Sequence, residues 1–211
     1  MTKQSSTNIS KQSLEMLYLQ GMMSMQEIAV HFECSLNRVD YWMRKYRIPR
    51  RTRSDARYAK LYPNGDVFSV KQIFTEQDHI LFGLGIGLYW GEGNKANPSS
   101  VRLGNTDPGV ISTFIKFLEV IYGVPRDQLR FGLQLFNDTN ENVAIQHWID
   151  HLGVNMSQFY KTTVTISGAI GTYRRKNRYG VLTVYFNNKR LRDILVGHLH
   201  DLGMDQQYMP R

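Results

Sequence analysis

Glu92 closes an apolar run, "GLGIGLYWGEGNK" at residues 83–95, that holds glycines at 83, 85, 87, 91 and 93 and is followed by Lys95. A glycine-rich run is first a candidate phosphate cradle, in which backbone N–H groups meet a nucleotide. Neither G-x-G-x-x-G nor G-x-x-x-x-G-K-[ST] can be laid on these residues, so that chemistry is set aside. His147 and His151, in "HWIDH", have the spacing of two metal ligands on one helix face, with Asp150 between them. No third ligand stands out, and Trp148 and Ile149 suit an amphipathic core helix. Motifs for a serine or cysteine nucleophile are absent.

The remaining chemistry belongs to cations. Lys and Arg outnumber Asp and Glu by 26 to 18, a net charge of +8, and the pI is near 9.6. Such a balance favours a polyanion or an anionic membrane surface as partner, nucleic acid being the commoner case. From 44 to 60, "RKYRIPRRTRSDARYAK" sets eight basic residues against Asp55 alone. A second cluster, "TYRRKNRYG" at 172–180, carries Arg174, Arg175, Lys176 and Arg178 between two tyrosines, Tyr173 and Tyr179. It reads equally as a solubilising hairpin tip and as a DNA contact. One cysteine, Cys34, excludes a disulfide framework and any cysteine-based zinc site. The N-terminal "MTKQSSTNISKQS" lacks a signal-peptide core, and the apolar run 80–90 is about half a membrane span. A cytoplasmic protein with no membrane partner is expected.

The elements that position these residues follow from periodicity. Between 10 and 48 the chain reads as three short helices. The first carries Leu14, Leu17 and Tyr18 and stops near Gly21; the second begins at Ser24 with Glu27 as a capping box and turns Ile28, Ala29 and Phe32 inward. The third is capped by Ser35 and packs Val39, Trp42 and Met43, leaving Asn37, Arg38, Tyr41, Arg44 and Lys45 pointing elsewhere. Periodicity fits both an ordinary three-helix bundle with a solvated basic face and a helix-turn-helix, whose last helix enters the major groove; the charge placement that follows favours the second. Pro49 breaks the helix, so that Arg50, Arg51 and Arg53 lie on an arm suited to phosphates or a minor groove. The stretch "MQEIAVHFECSLNRVDYWMRKYRI" resembles the helix-turn-helix domains of bacterial DNA-binding and recombinase-type proteins.

The composition changes after Tyr62 at "PNGD", and 63–77 reads as a linker. Beyond it come a helix over 78–90, a strand over 99–105, a helix over 110–123, a strand over 128–136 and a helix over 142–153. Strands over 159–166 and 180–186 and a helix over 189–203 complete the chain. An α+β domain is expected, with a mainly antiparallel sheet, helices packed on one face and the other face free for a ligand. As a helix, 78–90 sorts its glycines: Gly83, Gly87 and Gly91 lie four apart and form one stripe. Interior glycines cost up to about 1 kcal/mol each relative to alanine, so close approach of another helix backbone is expected. Leu84 and Leu88 flank the stripe, and the helix should be buried nearly all round.

"LGIGLYWGEG" resembles the signature helix of the LAGLIDADG homing endonucleases, which often reads "LAGFFDGEG". Gly87, Leu88, Gly91, Glu92 and Gly93 carry the likeness, which extends over about 78–203. It implies a small all-α helix-turn-helix domain at 1–62 followed by a LAGLIDADG-like domain at 78–211. It also implies a homodimer joined through the 78–91 helix at Gly83, Leu84, Gly87, Leu88 and Gly91. Glu92 would then hold Mg2+ or Mn2+ beside double-stranded DNA, with Lys95 the nearest cation to the scissile phosphate and Lys161 a weaker one. Arg102 joins the DNA-binding residues through the sheet, the family's DNA saddle. Trp90 replaces an acid common in the motif, the segment 94–109 is short for a full first hairpin, and the helix over 142–152 falls where the family runs strand into strand. A homing-type endonuclease of bacterial, phage or archaeal type is therefore one expectation. The other is a regulator that keeps the fold as a DNA clamp without cleaving; bacterial transcription factors join the same two domains in the reverse order. A purely structural dimerisation module fits the basic surface least. Asp107 is expected to cap the helix starting at Pro108 and to have no catalytic part.

Overall fold

The structure, a computed structural model, describes residues 8–63, 65–166 and 177–203. The chain divides into two compact units, Met1–Asp66 and Val67–Arg211.

The first unit is all-helical. Ser10 caps α1 (Lys11–Glu15), which continues through a π-helical turn, Met16–Gln20, and stops at Gly21. Ser24 and Glu27 form the reciprocal capping box of α2 (Met25–His31), and the Ser35 hydroxyl caps α3 (Leu36–Lys45). Leu14, Tyr18, Ile28, Ala29, Val39 and Met43 meet in one core with Ile9 and Ile48, and Trp42 packs partly against it. The third helix ends at Lys45, four residues before Pro49, with Arg47 in the left-handed region, and the expected arm re-forms helix: Thr52 caps α4 (Arg53–Leu61) with its hydroxyl on the Asp55 N–H. The local signal is a threonine cap with an acid three residues on, followed by good helix formers.

The second unit begins at Val67, inside the stretch 63–77 expected as a linker. Phe68 is buried in its core, and the N–H groups of Ser69 and Lys71 donate to the carbonyls of Tyr122 and Ile121 at 2.9 and 2.8 Å. Thr75 caps α5 (Glu76–Glu92), and the Asp78 carboxylate returns to the Thr75 N–H and hydroxyl and to Lys71 Nζ at 2.7 Å. The Lys71 ammonium, then the Thr75 donors, hold the Asp78 carboxyl down at about 2. Its folded-state value lies below the unfolded one, so this contribution to stability is present above about pH 4 and is lost as pH falls toward 2. Urea midpoints measured from pH 5 to 2 are expected to drop less steeply for Asp78→Asn than for the parent protein.

After α5 come β1 (Val101–Asn105), α6 (Pro108–Tyr122), β2 (Arg130–Phe136), α7 (Glu141–Leu152), β3 (Thr163–Thr165), β4 (Val181–Phe186) and α8 (Lys189–Asp201). Asp107 caps α6 as expected. The sheet order is β1-β4-β2-β3; β4 runs antiparallel to both neighbours, and β3 is parallel to β2. The helix between β2 and β3 is the reason, since a parallel pair needs a crossover and α7 supplies it. Of the strand expected over 159–166 only β3 pairs as a strand, preceded by a single bridge from Phe159 to Phe131. Alternation sends Val101, Leu103, Phe131, Leu133, Leu135, Leu182, Val184 and Phe186 to one face. There they pack in one core with Tyr89, Phe114, Phe117, Trp148 and Leu195 from α5, α6, α7 and α8. The α+β class, with a mostly antiparallel sheet, is as the sequence leads one to expect.

Candidate functional site

Helix α5 is buried on one side only. Gly85, Ile86 and Tyr89 face the core, whereas Ile80 is 60% and Leu84 54% exposed. Gly83, Gly87 and Gly91 are exposed, and a Cβ added at any of them would meet nothing within 4 Å. No neighbour within the described residues therefore accounts for that stripe. The other two glycines have internal reasons: a Cβ at Gly85 would enter the Phe117 ring, and one at Gly93 would enter the Tyr89 ring and meet its carbonyl. Leu88 is half-buried and packs against the core, so of the five residues expected at a dimer face it contributes least.

Glu92 is the last residue of α5 and is exposed, one step round the helix from the glycine stripe and in line with Leu84 and Leu88. Lys95 folds back on the helix end, its Nζ donating to the Trp90 carbonyl at 2.6 Å and lying 3.5 Å from that of Tyr89. Burial lowers the Lys95 pKa, and the nearby Glu92 charge opposes that shift. The ammonium thus satisfies carbonyls that a helix C-terminus leaves open. Beneath it Tyr89 is fully buried with an unpartnered hydroxyl, and burial pushes its pKa up to about 12.

The donor chemistry at Glu92 suits a hard divalent ion, because a carboxylate supplemented by waters is how Mg2+ is usually held. The fit is in kind and not in number: among the described residues no group of three or more His, Cys, Asp or Glu could hold a metal. His147 and His151 have no third metal-ligating side chain grouped with them among the described residues. Their rings lie 4.1 Å apart, His147 stacks on Tyr179 at 3.5 Å, and burial followed by the His151 charge lowers the His147 pKa.

The open sheet face carries Arg102, Tyr185 and Arg130 in register across β1, β4 and β2. Arg102 lies over the Tyr185 ring at 5.1 Å, with its Nε donating to the Ser100 hydroxyl. The row Gly104, Thr183, Gly132 and the row Val181, Gln134, Thr163 continue the surface. Arg130 is absent from the residues the sequence singles out, although alternation in "RFGLQLF" places it opposite the buried Phe131. Lys161 precedes β3 and is exposed, as is Arg178. Arg174, Arg175 and Lys176 lie outside the described residues.

In the first unit, α3 exposes Asn37, Tyr41, Arg44 and Lys45, and half-exposes Arg38. Lys45 lies 4.5 Å from the Trp42 ring, and Arg44 and Arg50 both pair with Asp40. Arg51 behaves differently from its neighbours. Its guanidinium lies over the Tyr18 ring at 4.2 Å and donates to the carbonyls of Met22 and Met23, while its N–H donates to the Tyr18 hydroxyl. It fastens the chain to the helical core, with two of its donors taken up by carbonyls. Arg53 is joined instead by Arg57 and Lys60, which recur at i+4 and i+7 on α4 and are exposed. An extended arm over 50–62 gives those two no common face, and the helix does.

No family model, curated protein or solved structure matches the chain. Its function therefore rests on the site alone. No helix among the described residues is long and apolar enough to cross a membrane.

Proposed function

We propose that this protein binds double-stranded DNA and hydrolyses its phosphodiester bonds as a homodimer joined through α5, in the manner of the LAGLIDADG homing endonucleases that its signature run resembles. The observation that carries the reading is the glycine stripe: Gly83, Gly87 and Gly91 face open space on the helix that ends in Glu92. Three interior glycines with no contact to offset their cost are accounted for by a second α5 packed backbone to backbone. Two copies of Glu92 would then meet at one centre and hold Mg2+ or Mn2+. Such an ion supplies charge stabilisation for the attacking and leaving oxygens. The chain's own residues bind and orient the duplex: the Arg102, Tyr185, Arg130 row on the sheet, and separately α3 and α4 in the first unit.

The test is incubation of the full chain with a randomised duplex library and Mg2+ or Mn2+, followed by sequencing of the ends produced. Defined ends support the nuclease. Binding without cleavage in either metal supports the alternative, a DNA-binding regulator that keeps the dimer as a clamp; the short donor set among the described residues is the observation that favours it.

On either reading the α4 stripe meets phosphates. Replacing Arg53, Arg57 and Lys60 by alanine is expected to flatten the slope of log affinity against log salt by about 0.9 for each phosphate that is no longer neutralised. Gel-shift titrations from low to moderate salt read that slope, and an unchanged slope removes α4 from the interface.

A further inference from the structure

Among the described residues α4 sends no side chain into the core of the first unit: that core comes from α1 to α3 and the segments beside them, and the buried Ala59 of α4 lies outside it. The helix is fastened at its start, where Arg51 grips the carbonyls of Met22 and Met23. Between α4 and the turn so gripped a groove of about 910 Å3 stays open. Met22, Met23 and Met25, all half-buried, line one side, and Met22 is held there in the left-handed region. The facing side of α4 carries Ala56 and Ala59, which are too short to fill the space. A bundle that needed only to be packed would place larger apolar residues there. The volume is that of a pocket for a small organic ligand, about 300–1,000 Å3, and methionine adapts to varied apolar shapes.

The charges around the groove select the ligand's head. Four cations and one acid line it, Arg50, Arg51, Arg57 and Lys60 against Glu27. The Glu27 carboxylate is turned onto the Ser24 N–H at 2.7 Å, Arg50 pairs with Asp40, and Arg51 is taken up by the two carbonyls. Among the described residues that leaves Arg57, whose planar fork matches a carboxylate, and Lys60 one turn on, both exposed. We propose that the groove binds an apolar carboxylate, its hydrocarbon against the methionines and alanines and its head on Arg57 and Lys60. The bound acid competes with DNA for those two cations. The competition rests on the reading that α4 meets phosphates; the binding does not.

The experiment titrates the full chain, its methionine methyl groups isotope-labelled, with hexanoate, octanoate and decanoate and follows the methyl resonances by NMR. Those of Met22, Met23 and Met25 are expected to shift saturably while that of Met156, in the second unit, stays in place. Affinity should rise about fourfold with each added methylene. Octan-1-ol, with the same chain and no charge, should bind about tenfold or more weakly than octanoate, and the Arg57→Ala, Lys60→Ala double variant should lose as much for octanoate. Ala56→Leu fills the groove from an exposed helix position, and should weaken octanoate binding at an unchanged melting temperature. Shifts that extend to Met156, or octanoate affinity that neither Ala56→Leu nor the double variant lowers, overturn the site. Octanol bound as tightly as octanoate overturns the role of the two cations. Saturating decanoate is expected to weaken DNA binding and to flatten its salt dependence. Decanoate that binds without altering DNA affinity overturns the competition and keeps the site. If the alanine variant at 53, 57 and 60 also keeps the parent's salt slope, it is the reading of α4 on phosphates that falls.

Discussion

Gly87→Leu is expected to convert a dimer of this chain into a folded monomer of 24.5 kDa. Among the described residues a Cβ at 87 meets no atom within 4 Å. Leucine is also a better helix residue than glycine by up to about 1 kcal/mol, so the monomer should melt no lower than the parent. What leucine removes is the room for a second backbone at the middle of the stripe. Ile80 and Leu84, more than half exposed beside that stripe, would then lose their cover. Gly85→Ala gives the contrasting result: its Cβ would enter the Phe117 ring, and overpacking of this kind costs about 1–3 kcal/mol. Light scattering and thermal melts on the two variants separate the faces of α5. A Gly87→Leu protein that keeps the mass of two chains, or a parent that is monomeric at all concentrations, would remove the interface.

The division of labour among these glycines shows how far the sequence can be read. Period four alone picks out 83, 87 and 91, because a stripe is a local property of a helix. Gly85 and Gly93 answer to Phe117 on α6 and to the turn around Tyr89, contacts that exist only once the unit has folded. The same distinction holds elsewhere. The caps at Ser24, Ser35 and Asp107 are local and legible, as is the inward alternation of β4. Arg51 and Arg192 read as two more cations in a basic chain, yet each is turned inward by carbonyls 28 or 29 and 97 residues away in sequence. Charge composition does not register such partners, so it overstates the number of cations free to meet DNA. On α4 it counts the cations without showing their common face, because Pro49 and a dense basic run mask a capped helix that brings Arg53, Arg57 and Lys60 together. At β3 only Thr163–Thr165 pairs with the edge of β2, a matter of tertiary pairing that the composition of 159–166 does not carry locally.

Glu92→Gln is expected to abolish DNA hydrolysis while leaving DNA bound. The substitution keeps the shape of the side chain at the end of α5 and removes only its charge, so neither the capping at Gly93 nor the turn held by Lys95 has reason to move. Loss of a metal's stabilisation of the reacting oxygens is worth several kcal/mol, on the order of a thousandfold in rate. Affinity for DNA should hold or rise, because the change deletes a negative charge close to phosphates. Cleavage that survives in Glu92→Gln would sink the assignment of this residue. The same variant reports on the dimer. Two carboxylates brought to one centre repel each other unless a cation lies between them. Association of the parent should therefore tighten with Mg2+ and weaken in chelator, whereas Glu92→Gln should associate equally in both. Sedimentation in the presence and absence of Mg2+ decides it, and a parent dimer indifferent to the ion would put Glu92 away from the axis.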